Sequence, residues 1–191
     1  MENGNTASYV SAGKPKITGA IFSAPVGTTL PTSTSEALDE AFKCLGYCSD
    51  AGVVNSTNME SSKIKAWGGE TVLVIQTTKE DQYKFTLLEV KNVDVLKFVY
   101  GPENVSGALE TGIKIKANSL EVPATSLVID MLLSDNTAKR VVIPNAKISA
   151  IGDITYADNN AIGYETTLDC LPDDDGDSHV EYIKKSAGVS G

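Results

Sequence analysis

The residues able to do chemistry in this sequence are few. Cys44 and Cys48 have the spacing of half a thiolate metal site, because thiolates and imidazoles close a tetrahedral shell in pairs. No second Cys/His pair accompanies them, and His179, the only histidine, lies far away in the chain. The two thiols therefore read as small buried hydrophobes. The run Asp173-Asp174-Asp175-Gly176-Asp177 has the look of a calcium loop. That motif needs carboxylates at alternating positions ahead of its glycine, and counting back from Gly176 puts Leu171 first, so the register fails. No G-x-S-x-G, P-loop or H-E-x-x-H pattern is present, and no spacing pairs two carboxylates in a cleft. Asn55-Ser56-Thr57 and Asn104-Val105-Ser106 match glycosylation sequons by chance, given an N-terminus without a basic or apolar leader. The expectation is a non-enzymatic protein with no catalytic residue, cofactor or metal.

Composition narrows the class. The chain has 191 residues, 41% of them hydrophobic and 21% charged, enough for one folded domain with its own core. No run approaches the roughly 18 apolar residues that read as a membrane helix. Three cysteines, an odd number, suggest free thiols in a reducing compartment. A net charge of −9 opposes ordinary nucleic-acid binding, which relies on Lys and Arg displacing counterions from phosphate. The same acidity suits a surface that lies near DNA without adhering to it, or plain solubility.

The most regular stretch is Ile148 to Pro172, two extended segments around the turn 157–160. On the return segment Ile162, Tyr164, Thr166, Leu168 and Cys170 alternate with Gly163, Glu165, Thr167 and Asp169, predicting a β-hairpin with one buried face. Elsewhere, residues 1–15 read as a flexible arm. Lys16 to Ala24 predicts a first strand. Ser33 with Glu36 fits a capping box, and Leu38, Phe42 and Leu45 follow at helical spacing with Gly46 as a stop, which predicts a short helix. Phe42 to Ser49 alternatively extends into strand. Residues 50–70 are small and polar and read as a long loop, either a loose hairpin or an arm that docks on a partner. Thr71 to Thr78 and Gln82 to Val90 read as an antiparallel pair around Lys79-Glu80-Asp81. Asn92 to Tyr100 reads as a capped helix ended by Gly101-Pro102. Strands are expected at 111–117, 125–133, 138–143 and 147–151, with Pro144 interrupting the last two because it cannot donate to a ladder. The total is a mainly β fold, a sandwich or barrel of about eight strands with one flanking helix and extended loop and terminal arms. Its domain is expected over 16–172, between the N-terminal arm and an acidic, polar extension over 173–191.

The segment IGDITYADNNAIGYETTLDCLPD (151–173) resembles the C-terminal hairpin of major tail tube proteins from long-tailed, non-contractile bacteriophages and prophages. The resemblance recurs in order at GKPKITGAIFSAPVGTTLPTST with ALDEAFKCLGY, at AWGGETVLVIQT and at KFTLLEVKNVDVLKFVYGPENV, so it spans nearly the whole chain. It implies a structural virion protein that forms hexameric rings, which stack into a tube and share one continuous inner barrel. A long loop and the terminal segments would bridge subunits and rings. Tape measure protein would fill the tube during assembly in the host cytoplasm, tail terminator and distal tail proteins would adjoin it, and DNA would pass through at infection without specific binding. On this resemblance Asp130, Glu165 and Asp169, opposite the apolar faces of their strands, are candidates to face the lumen. Asp50, Asn55, Lys63, Lys65 and Trp67 belong to the candidate inter-ring arm, with Trp67 as its anchor. A contractile-tail or type VI-like tube is the alternative, and a β-sandwich adhesin or carbohydrate-binding module, with only 6% aromatic residues to build a groove, is a more distant one.

Overall fold

The computed structural model describes residues 4–16 and 19–185. The strands are β1 (Lys14–Pro15), β2 (Ile21–Pro25), β3 (Lys43–Cys44), β4 (Cys48–Lys65), β5 (Thr71–Leu87), β6 (Val105–Ala108), β7 (Gly112–Ile115), β8 (Thr125–Leu132), β9 (Thr137–Ile151), β10 (Tyr164–Leu171) and β11 (Val180–Lys185). A single α-helix among the described residues, α1 (Val93–Tyr100), follows β5. Nine strands form one antiparallel sheet in the order β3-β2-β8-β9-β10-β5-β4, with β1 added to β8 and β11 to β9, while β6 and β7 pair separately. The architecture is mainly β with one helix, consistent with a β-sandwich.

The expected hairpin is β9–β10, its loop running from Gly152 to Gly163. Tyr164, Thr166, Leu168 and Cys170 are buried and their alternates half-buried, as a period of two requires when one face meets a core. That core joins Tyr83, Phe85 and Leu87 of β5, Leu127 and Ile129 of β8 and Val141 and Ile143 of β9 to Val95, Leu96, Phe98 and Val99 of α1. The helix matches its sequence signals: Asn92 accepts from the Asp94 N–H at 3.0 Å, and Gly101, at φ 89°, ends it. A second apolar cluster, around Ala24, Phe42, Val128 and Val142, is covered by Leu30 and Leu38 of the β2–β3 connection.

Four local expectations are corrected. The capping box at Ser33 starts no helix. Ser33 Oγ accepts from the Glu36 N–H at 3.2 Å, but Glu36 turns its carboxylate to the Thr32 N–H and hydroxyl. The Ser33 and Glu36 carbonyls, which a helix would engage, accept instead from Arg140 at 2.9 and 2.7 Å. Tertiary hydrogen bonds thus overrule the local motif. Second, 50–65 is strand rather than loop, and the stretch is one side of a long hairpin that turns at 66–70. β4 and β5 pair from Cys48 to Lys65 across a tip at Ala66–Glu70, with three register shifts along the way. Third, Lys79-Glu80-Asp81 is no turn and lies inside the continuous β5. Fourth, β9 runs through Pro144 without a break. On one side β9 pairs with β11 up to Val142 and with β10 from Asn145, so the missing N–H falls where one neighbour hands over to the next. On the other side Ser126 Oγ donates to the Pro144 carbonyl at 2.7 Å across a bulge. A strand not anticipated, β11, lies within the polar C-terminal stretch. Of the first expected strand, residues 17 and 18 lie outside the described residues, as do 186–191 of the expected extension.

Candidate functional site

Beyond Asp81, β4 and β5 leave the body as a two-stranded ribbon. Nearly every residue from Val54 to Glu80 is exposed, and the ribbon reaches about 30 Å at strand rise. An isolated ribbon of this kind is marginal in water. Its surface is nevertheless apolar. Ile64 stands opposite Leu73 and Ser62 opposite Ile75, which puts Ile64, Leu73 and Ile75 on one face. Val74 projects to the other face opposite Lys63, Val72 sits at a register shift, and all of these apolar side chains are exposed. Trp67 is fully exposed at the tip, where Gly69 takes φ 89° to turn the chain. A contiguous apolar surface carried on both faces of a ribbon marks an interaction site.

Of the candidate arm residues, Lys63, Lys65 and Trp67 lie in the outer ribbon, and Asp50 and Asn55 at its root. Val72 to Ile75, expected only as part of one strand of an antiparallel pair, belong to the same ribbon but were not among the candidate arm residues. The available signal was an unbroken apolar run in a strand, which demands cover on both faces.

The second surface is the outward face of β10 and its neighbours. Glu165, Thr167 and Asp169 lie beside Gln82, Lys84 and Thr86 of β5. Lys84 pairs with Glu165 at 2.8 Å, both side chains about half exposed. Asp169 accepts from Gln82 at 2.7 Å and from Ser149 at 2.9 Å, and Lys147 pairs with Glu121. The face is polar and internally paired. Asp130 does not belong to it. Its residue is only 5% exposed, and it accepts two hydrogen bonds from Arg140, at 2.6 and 2.8 Å, with Lys16 Nζ 3.5 Å away. Alternation correctly set Asp130 opposite Ile129, but the β2–β3 connection covers that face too. In this structure its carboxylate is held by Arg140 and Lys16 rather than turned to solvent, so it does not share an open face with Glu165 and Asp169.

The chemistry-bearing residues take structural places. The three thiols are free. Burial, reinforced by neighbouring Cys44, pushes the Cys48 thiol up to about 11, and burial near Asp81 and Asp169 pushes Cys170 up to about 12. Both therefore stay protonated near neutrality, a poor state for a nucleophile or metal ligand. In the acidic run Asp173 accepts the backbone N–H groups of Asp175 and Asp177, closing a tight turn at Gly176. Among the described residues no three His, Cys, Asp or Glu side chains are grouped to hold a metal ion. No helix of the described residues is long and apolar enough to cross a membrane.

The family model described as phage tail tube protein matches residues 3–190. The chain belongs to the phage tail tube protein family. No curated protein matches it. A tail tube protein is a structural component of the virion tail that assembles with copies of itself.

Proposed function

We propose that this chain builds the tail tube of a long-tailed, non-contractile phage, six copies closing into a ring and rings stacking into a conduit for DNA. The observation that carries this reading is the β4–β5 ribbon, whose apolar surface finds cover only on another molecule. In the stacked tube it reaches the adjacent ring, with Trp67 and Val72 to Ile75 as its contact residues. Free edges along β4 and β3 gain partners when neighbours close the ring. The four sequence blocks shared with non-contractile tail tubes favour a tube without a sheath. Tape measure protein occupies the channel during assembly in the host cytoplasm, and terminator and distal tail proteins cap its ends.

The β5–β10 polar face, with Glu165 and Asp169, lines the channel. Every apolar side chain of β10 from Tyr164 to Cys170 is turned inward, so DNA would meet only hydroxyl, amide and paired charged groups there. Such a wall repels or ignores phosphate rather than gripping it. Replacing both Glu165 and Asp169 with lysine is expected to leave tubes assembled while lowering DNA delivery, read as infectivity per particle. Normal infectivity from such particles would remove this face from the channel.

A further inference from the structure

Among the described residues the ribbon has no support from the body beyond its root, so its direction depends on what holds that root. There β5 passes from buried Tyr83, Phe85 and Leu87 to the exposed outer strand, and Asp81, 5% exposed, sits at the crossing. A buried carboxylate must be fully hydrogen-bonded, and this one draws donors from two directions. Asn55 Nδ2, at 2.7 Å, and Thr57 Oγ1, at 3.3 Å, reach Oδ1 from β4. Ser178 Oγ, at 3.0 Å, and His179 Nδ1 reach Oδ2 from the segment entering β11. The His179 ring packs edge-on against Tyr83, with centroids 5.5 Å apart. The Asp173 turn brings Ser178 and His179 into place, and β11 is then held along β9 from Val180 to Lys185. Burial favours the neutral form of Asp81, but the donors from Asn55, Ser178 and His179 outweigh it and hold the carboxyl below its usual range.

We infer that Asp81 is a positioning residue for the arm, a clasp through which the docked C-terminal strand fixes the angle at which the β4–β5 ribbon leaves the body. The inference rests on the reading of that ribbon as the assembly arm. It gives the acidic turn and the lone histidine a role that neither metal binding nor catalysis supplies. It also couples two segments far apart in sequence, so that loosening β11 loosens the root of the arm.

The test is amide hydrogen exchange on the full chain, comparing wild type with His179→Ala, His179→Asn and Ser178→Ala. Asparagine places an amide donor near the position of Nδ1, so it restores the bond without the ring. In His179→Ala, exchange is expected to rise on the order of tenfold at 177–182 and also at 55–57 and 80–82, with His179→Asn returning both regions toward wild type. Ser178→Ala, which removes one donor and leaves the ring packing, is expected to move the same two regions by less. Faster exchange confined to 177–182, with the arm root unchanged in both alanine variants, would overturn the clasp. Electron microscopy of the same samples separates the two readings. A loosened root with intact tubes keeps the clasp and removes arm direction from assembly, whereas a loosened root with lost or irregular tubes supports both.

Discussion

Replacing Arg140 with alanine is expected to cost about 3–5 kcal/mol of stability, the range for breaking a buried ion pair on one side. Arg140 is almost wholly buried and does two jobs at once. Its Nε and one terminal nitrogen take both oxygens of Asp130, and the other terminal nitrogen donates to the carbonyls of Ser33 and Glu36. Alanine would leave a buried carboxylate with only Lys16, 3.5 Å away and half exposed, as a counter-charge. It would also free the β2–β3 connection, which carries Leu30 and Leu38 onto the second apolar cluster. Thermal unfolding should show a midpoint lower by on the order of 10 °C. The control is the double variant Asp130→Leu with Arg140→Met. If burial without charge is tolerated, it recovers much of the loss, because the penalty comes from the orphaned carboxylate. A single-variant loss below about 1 kcal/mol would mean that the pair is more solvated than its geometry indicates.

Removing the outer ribbon is expected to do the opposite: almost no loss of stability and complete loss of tubes. Joining Asn58 to Glu80, which face each other across β4 and β5, through an Asn-Gly turn excises 59–79 while keeping Asn55, Thr57 and Asp81. Apart from half-buried Thr78 the excised residues are exposed, so the body loses almost no packing. Stability of the protomer should change by less than about 1 kcal/mol, with slower aggregation because an apolar surface has gone. If the arm bridges rings, the shortened chain remains as single protomers or isolated rings by electron microscopy. Trp67→Ala in the full chain should weaken assembly in the same direction, by about 2 kcal/mol per contact if tryptophan is the anchor. Normal tubes from the shortened chain would show that the ribbon covers something other than a neighbouring copy.

These two variants separate what was legible in the sequence from what was not. α1 was legible because its signals are local: the Asn92 cap, the spacing of Val93, Leu96 and Tyr100, and the Gly101 stop all act within the element. β10 was legible because one face meets a core and the other does not, and that asymmetry is written directly as alternation. The ribbon was illegible for the converse reason. In the free chain both faces of residues 54–65 meet solvent, so burial imposes no period, and Ser, Thr and Asn there look like loop. Its strand character comes from pairing with β5, a long-range property. The Ser33 capping box misled because the deciding partner, Arg140, lies on β9. Asp130 was placed on the correct side of β8, but nothing local announces that a second layer covers that side. β11 carries Lys and Glu on an edge with only Val180 and Tyr182 alternating toward the sheet, too little signal to separate a strand from a polar tail. The Asp81 cluster joins residues about a hundred positions apart and has no signature in the sequence at all.

Cryo-electron microscopy of the purified protein, raised through increasing concentration, decides whether the ribbon and the polar face take these places in a tube. Hollow rings or tubes are expected, in which the β4–β5 ribbon contacts an adjacent ring and the face carrying Glu165 and Asp169 lines the channel. Monomers that persist at the highest concentrations, or tubes with that face turned outward and the ribbons free in solvent, would contradict the proposal.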